Sequence, residues 1–267
     1  MFNESFSVIE DDNITTVSRQ VSPGERAARA EKTLGTTIYA KTLGMHRDLL
    51  ASAIFRVCRG ERQQLDITVQ SATGANVRYR GQELRQDDAR ILEFLVHAVR
   101  NKAATDAIEF DIYAFAEHVG YDRHKRSVKR IDECLFRMCG AAVRIEKERG
   151  SVYVRQLIAK QDPGKTPNER VVWLHPEIVE LFENNVTFLP LEERRQLSDG
   201  LASWLAGYVR ANNETNLFKL EQLYAHSGSA GSMKTFSEAL RDVMPKLQEA
   251  GVVKGFALSR GRLTVQR

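Results

Sequence analysis

The strongest constraint on this chain is that one pattern of elements occurs in it twice. Phe110 and Phe218, Gly120 and Gly228, and Val128 and Phe236 are each about 108 positions apart, and a fixed offset of this kind marks one supersecondary unit used twice. In the first copy Ile91, Leu92, Leu95, Val96 and Val99 fall on one helical stripe that Asp87 and Asp88 can cap, and a short strand follows at 108–110. Ile112, Phe115, Ala116 and Val119 then keep the i, i+3, i+4, i+7 spacing of a helix with one buried face, and Gly120 stops it. Val128, Ile131, Leu135 and Met138 mark a longer helix, and strands at 142–146 and 152–158, turning at Arg149 and Gly150, close the unit. In the second copy Leu197, Leu201, Trp204, Leu205 and Tyr208 give the first helix, 216–218 the short strand, and Leu220, Leu223 and Tyr224 the short helix before Gly228. Met233, Phe236, Leu240, Val243 and Leu247 give the second long helix, and strands at 252–258 and 263–266 flank Arg260 and Gly261. Pro245 removes a backbone donor from that helix and is expected to kink or split it.

Helix, strand, helix, turn, helix and hairpin is the order of a winged helix, a helix-turn-helix with a β-hairpin appended. The expected fold is therefore α+β, with two tandem winged-helix domains at 47–165 and 166–267. A chain of 267 residues has room for two such cores. Before them, residues 1–46 read as a flexible arm: polar, acidic at Glu10, Asp11 and Asp12, with at most a short helix at 27–34. Leu49, Leu50, Ile54 and Phe55 are enough to dock the stretch 47–57 against a core.

The net charge of +4 decides little, because 39 basic residues face 35 acidic ones. Placement decides more. Residues 121–130 read YDRHKRSVKR, so Arg123, Lys125, Arg126, Lys129 and Arg130 crowd the start of the first long helix after the turn. At 100° per residue Arg126, Lys129, Arg130 and Arg137 lie opposite its buried stripe, and a helix N-terminus adds donors that favour phosphate. In the second copy Ser227, Ser229, Ser232, Lys234, Thr235, Ser237 and Arg241 mix hydroxyls with cations, a set that can bond both phosphates and base edges. Lys254, Arg260, Arg262 and Arg267 belong to the second hairpin or its end. In helix-turn-helix readers the second helix enters the major groove. Two copies thus predict two neighbouring groove contacts on double-stranded DNA. The expected DNA contacts are Arg123, Lys125, Arg126, Lys129, Arg130, Ser232, Lys234, Thr235, Arg241 and Lys254, with Arg260 and Arg262 on phosphate.

Catalytic chemistry finds little support. The stretch 159–166, AKQDPGKT, superficially fits a phosphate loop, but prolines flank the Gly-Lys-Thr and a strand-like VVWL follows, so it reads as an inter-domain linker. His46, His97, His118, His124, His175 and His226 are scattered without the spacing of a metal site, and Cys58, Cys134 and Cys139 lack any CxxC or CxxH pairing and read as reduced, packed thiols. Tyr121 sits beside the basic run but has no histidine pair to make it a nicking nucleophile. The residues 64–67, QLDI, could mimic a short clamp-binding peptide and more simply open a strand before a turn at 71–76. No enzyme, cofactor or metal is expected. The apolar runs are too short for a membrane span and the N-terminus lacks a secretory pattern, so a cytoplasmic protein is expected.

Four stretches, YRGQELRQDD at 79–88, DECL at 132–135, EIVELF at 177–182 and LQEAGV at 247–252, resemble the TrfA-type plasmid replication initiators, and the likeness runs in order from about residue 50 to the end. The resemblance implies an initiator with two winged-helix domains that binds direct repeats, called iterons, in a plasmid origin. It also implies opening of an adjacent AT-rich region, recruitment of the host initiator and replicative helicase, and exchange between DNA-binding monomers and inactive dimers. The alternative is a tandem winged-helix transcriptional repressor or autoregulator, which would grip DNA in the same way.

Overall fold

Which strand each short β segment pairs with, rather than where the helices fall, is what the sequence pattern leaves open. The computed structural model describes residues 42–99, 106–147, 150–154, 156–181 and 185–267. The expected helix at 27–34, and the arm up to residue 41, lie outside the described residues. The last five residues of that arm are not an arm: β1 (Thr42–His46) pairs antiparallel with β11 (Val186–Pro190), and its Leu43 and Met45 are fully buried.

A one-turn helix, α1 (Arg47–Leu50), follows, then β2 (Phe55–Arg56), β3 (Gln64–Gln70), β4 (Asn76–Gln82) and β5 (Leu84–Arg85). QLDI thus opens a strand. On β4 burial alternates along the chain, so Val77 and Tyr79 face the core while Arg78 and Arg80 face solvent. Next comes α2 (Gln86–Val99), buried on nearly every side, including Asp87, Asp88, Arg90 and Glu93.

The rest of the first copy follows the expected order. β6 (Ile108–Asp111) leads into α3 (Ile112–His118), whose N-cap Asp111 accepts from Tyr113 N and Ala114 N. Gly120, at φ 84, makes the left-handed turn that a side chain would resist. α4 (Lys125–Cys139) starts at His124, whose ring nitrogen accepts from Arg126 N, and the strands β7 (Ala142–Lys147) and β8 (Gly150–Val154) come after it. This hairpin does not pair with β6. It joins β3 and β4 in a four-stranded sheet of order β3-β4-β7-β8, while β6 pairs with β10 (Glu169–Leu174), which also pairs with β9 (Ile158–Pro163).

Residues 159–166, expected as a linker, are accordingly most of β9 and its turn. Val171, Val172 and Leu174 on β10 need a partner strand over the core, and β9 supplies it. The expected domain boundary at 165/166 falls in that turn, and the cluster of buried side chains containing Leu43 continues through α5 (Pro176–Leu181) to Leu189 and Leu191, at the start of α6 (Leu191–Gln196).

A second cluster runs from Leu197 to Val265. It is built by α7 (Leu201–Ala211), β12 (Leu217–Lys219), α8 (Leu220–Ser227), α9 (Met233–Glu249), β13 (Gly255–Ser259) and β14 (Arg262–Gln266). Here the three strands form their own sheet, β12-β14-β13, and Gly228 takes the left-handed conformation at φ 61 before α9. Pro245 is exposed within α9, which runs unsplit through it.

Candidate nucleic-acid interface

The helices after the two glycine turns carry most of the expected contacts, and the two differ in how many cations they leave available. On α4, Lys125 and Arg126 are exposed, and Lys129 is exposed with only an i,i+4 pairing to Glu133 at 3.9 Å. Just before the helix Arg123 is exposed too, 3.6 Å from Glu117 and 5.9 Å over the Tyr113 ring. Surface pairs of this kind hold a side chain weakly.

Arg130 and Arg137 do not stay on the free side. The Nη2 of Arg130 donates to Asp199 at 2.8 Å, its Nε lies 3.5 Å from Asp87, and the guanidinium stacks 4.6 Å over the Tyr121 ring. Arg137 is buried and donates to Asp88 at 3.0 Å. Both sit on the flank of the helix, where a long side chain reaches a buried carboxylate on a neighbouring element more readily than solvent. The exposed side of α4 also carries Phe136, 73% exposed, and Asp132, which accepts two hydrogen bonds from Arg170 at 2.7 and 2.8 Å. That side lines an open cleft of about 1140 Å³, walled opposite by the turn around Pro163 and Pro167.

The acids that draw these arginines inward form a shared network. Burial would raise Asp87, but Arg62 at 2.7 Å, with Arg130 and Arg137, holds it down at about 2. Burial and the neighbouring charge of Asp87 push Asp88 the other way, up to about 6, in spite of Arg137 and Arg62. The Cys134 thiol comes within 4.8 Å of both carboxylates, and burial and those charges push it well up, so it stays protonated. Three arginines already compensate this cluster, which gives a cation nothing to add. Farther along, Asp199 receives Arg90 at 2.7 Å, the Tyr121 hydroxyl at 2.7 Å and Arg130 at 2.8 Å, and burial is overcome there by Arg90 and Arg194, which keep it ionised. Arg90 also donates to the carbonyls of Val119, Arg194 and Leu197 at 2.6–3.0 Å, tying the end of α3 to the segment that enters α7.

The second helix is simpler. Ser232 caps α9, its exposed hydroxyl accepting from Thr235 N at 3.1 Å. Lys234, Thr235 and Arg241 are exposed along the helix, and Lys234 and Arg241 form no ion pair among the described residues. Lys254 precedes β13, while Arg260 and Arg262 stand at the hairpin turn; all three are exposed. Arg267 is not part of this set: it donates to the carbonyls of Val209, Asn212 and Thr215 at 2.7–2.9 Å and so closes the C-terminal end of α7.

The structure also gathers arginines that no single stretch announced. Arg56, Arg59, Arg62, Arg85 and Arg130 come together from β2, the loop after it, β5 and α4. A local signal existed in RVCRGER at 56–62, but nothing in the sequence says that it faces α4. Arg56 also donates to Gly228 O at 3.2 Å, and Val57 N to Ser227 O at 2.8 Å, so the loop spans from the first cluster to the turn before α9.

Two solved structures share the architecture. The crystal structure of selenomethionine derivatives of domain 2 and domain 3 of RctB superposes with a TM-score of 0.58 at 12% identity, covering 82% of this chain and 98% of that one. A second, of RctB domains 2–3, gives 0.54 at 14% identity, covering 80% and 95%. No curated protein sequence matches the chain. Among the described residues no helix is long and apolar enough to cross a membrane. The profile of the TrfA protein matches residues 38–261, most of the chain, and this protein belongs to the TrfA family of plasmid replication initiators.

Proposed function

We propose that the chain is a non-enzymatic, sequence-specific binder of duplex DNA whose two units act as tandem winged helices on one plasmid-origin repeat. In this reading α4 and α9 occupy successive major grooves and the β13–β14 hairpin lies on the backbone. Binding to an array of such iterons would open the adjacent region and present the complex to the host initiator and replicative helicase. The observation that carries it is the set on and beside α9: a capped helix after a left-handed glycine turn, with Lys234, Thr235 and Arg241 exposed and Arg260 and Arg262 at the hairpin turn. Hydroxyl and cationic side chains near the start of such a helix meet base edges, and cations on the flanking hairpin meet phosphates. Family membership supplies the setting, a plasmid origin.

Footprinting of the purified chain across its own plasmid tests this. Protected repeats spaced by one or two helical turns, lost on changing Lys234 and Arg241 together to alanine, are the expected result; protection without repeats, or unaltered in that variant, overturns it.

A further inference from the structure

The arginines at the joint between the two units enclose a cavity of about 310 Å³ whose walls are Arg56, Arg59, Arg62, Arg85 and Arg130, with Asp87 and Asp199 the carboxylates among them. The pairing inside it is short of anions. Glu83, just behind the wall, is shared by Arg56 at 3.6 Å and Arg85 at 2.5 Å; Asp87 by Arg62, Arg130 and Arg137; and Asp199 by Arg90, Arg130 and Arg194. Arg59, at the rim, is exposed and has no hydrogen bond or ion pair among the described residues. Asp88 takes the second fork of Arg62 at 2.8 Å but is shared with Arg137, and Glu61 lines the separate cleft beside α4. A concave, partly desolvated site with surplus guanidinium groups favours an oxyanion that accepts from several forks at once, and phosphate has that geometry.

We infer that this cavity is a phosphate site, filled by a phosphodiester of the DNA strand that passes between the two groove contacts. The inference rests on the proposed function and adds a contact to it. One wall is Arg130 of α4, and another is Arg56, which is bonded to Gly228 in the turn before α9, so the site lies between the two groove-reading helices. A duplex that presents successive grooves to α4 and α9 carries its intervening backbone across this joint. Arg59 is the residue free to close on it.

The test uses the full chain and duplexes in which single phosphates between the two footprinted half-sites are replaced by uncharged methylphosphonates. Wild type is expected to lose about tenfold in affinity at one or two adjacent linkages. Arg59→Ala is expected to lose a similar factor on the unmodified duplex, with its salt slope reduced by about 0.9, and to lose nothing more at those linkages. Far-UV circular dichroism and urea melts of the variant check that it folds as wild type does. Additive losses at every linkage overturn the proposal. Stabilisation of the chain by inorganic phosphate over chloride at equal ionic strength, dependent on Arg59 but without coupling to any linkage, overturns the backbone assignment in favour of a free anion. A wild-type chain with no affinity for any duplex overturns the functional reading and this site with it, whereas normal wild-type binding without coupling overturns the site alone.

Discussion

The two copies keep one element order and differ in what surrounds it. In the second, β12, β13 and β14 close a sheet among themselves, and the exposed cations of α9 form no ion pair among the described residues. In the first, β6 leaves for β10 and the hairpin leaves for β4, so α4 packs within a larger assembly of strands and acids. Two of the four cations expected on its free side, Arg130 and Arg137, are drawn into that assembly. The two helices differ inside as well: Val128 and Phe236 match at the common offset, but Ile131, Leu135 and Met138 match Leu240, Met244 and Leu247 with one extra residue, which turns the later part of α9 relative to α4. The local pattern sets the elements, and long-range pairing sets which side chains remain free to meet a ligand.

The largest expected effect breaks the joint between the copies. Asp199 is about 10% exposed and serves Arg90, Arg130 and Arg194 together. Asp199→Ala leaves these arginines short of their shared carboxylate and is expected to cost about 3–5 kcal/mol of unfolding free energy by urea denaturation. A cost below about 1 kcal/mol would mean that the first copy owes little to this network.

How much of this was legible is clear from particular residues. Gly120 and Gly228 both turn left-handed where the spacing placed them, because short-range sterics decide such positions. β9 has the sequence pattern of a linker because Pro163 and Gly164 punctuate it, while the demand for a strand there comes from Val171 and Val172 across the turn. The partners of Arg130 and Arg137 are not legible, because a helical projection gives the direction of a side chain's root and says nothing about where a flexible guanidinium ends. Asp199, the partner of Arg130, lies 69 residues away in sequence. The arginine cavity at the joint is likewise a product of tertiary packing alone.

A second contrast concerns the acid pair at the start of α2, since no acid stands in the first turn of α7. Asp88 is raised to about 6 in the fold, so folding takes up a proton between about pH 4 and pH 6, and its contribution weakens the protein as the pH rises through that window. Asp87, held at about 2, acts in the opposite sense: it contributes stability above about pH 4 that is lost as the pH falls toward 2. Asparagine does not titrate. Urea melts at pH 4, 5, 6 and 7 are therefore expected to show Asp88→Asn gaining about 1–3 kcal/mol relative to wild type between pH 4 and 6, with no further change above. A constant difference would mean that Asp88 is ionised throughout in the folded protein.

The unequal cations set a third expectation, on DNA. Replacing Lys234 and Arg241 by alanine one at a time is expected to cost about 1–3 kcal/mol each where the side chain reads a base. Removing Arg126 and Lys129 together is expected to lower the salt slope by about 1.8, two phosphate contacts, with the sequence preference retained. Arg130→Ala is expected to reduce stability more than it reduces the slope, because its guanidinium is already bonded to Asp199. Equal losses of sequence preference from both helices would erase the distinction between the copies.

The smallest effect belongs to Phe136. It is 73% exposed on α4, whereas one residue past the common offset α9 carries Pro245, also exposed. With no core contact to lose, Phe136→Ala is expected to change unfolding free energy by less than about 0.5 kcal/mol. It lies about three turns beyond the N-terminal end of α4, and helix-turn-helix proteins read base edges with the N-terminal residues of the second helix, so duplex affinity and sequence preference are expected to stay as in wild type. A loss of about 1 kcal/mol confined to sites with a particular thymine would place the ring against a base methyl and seat α4 along its length in the groove, deeper than α9.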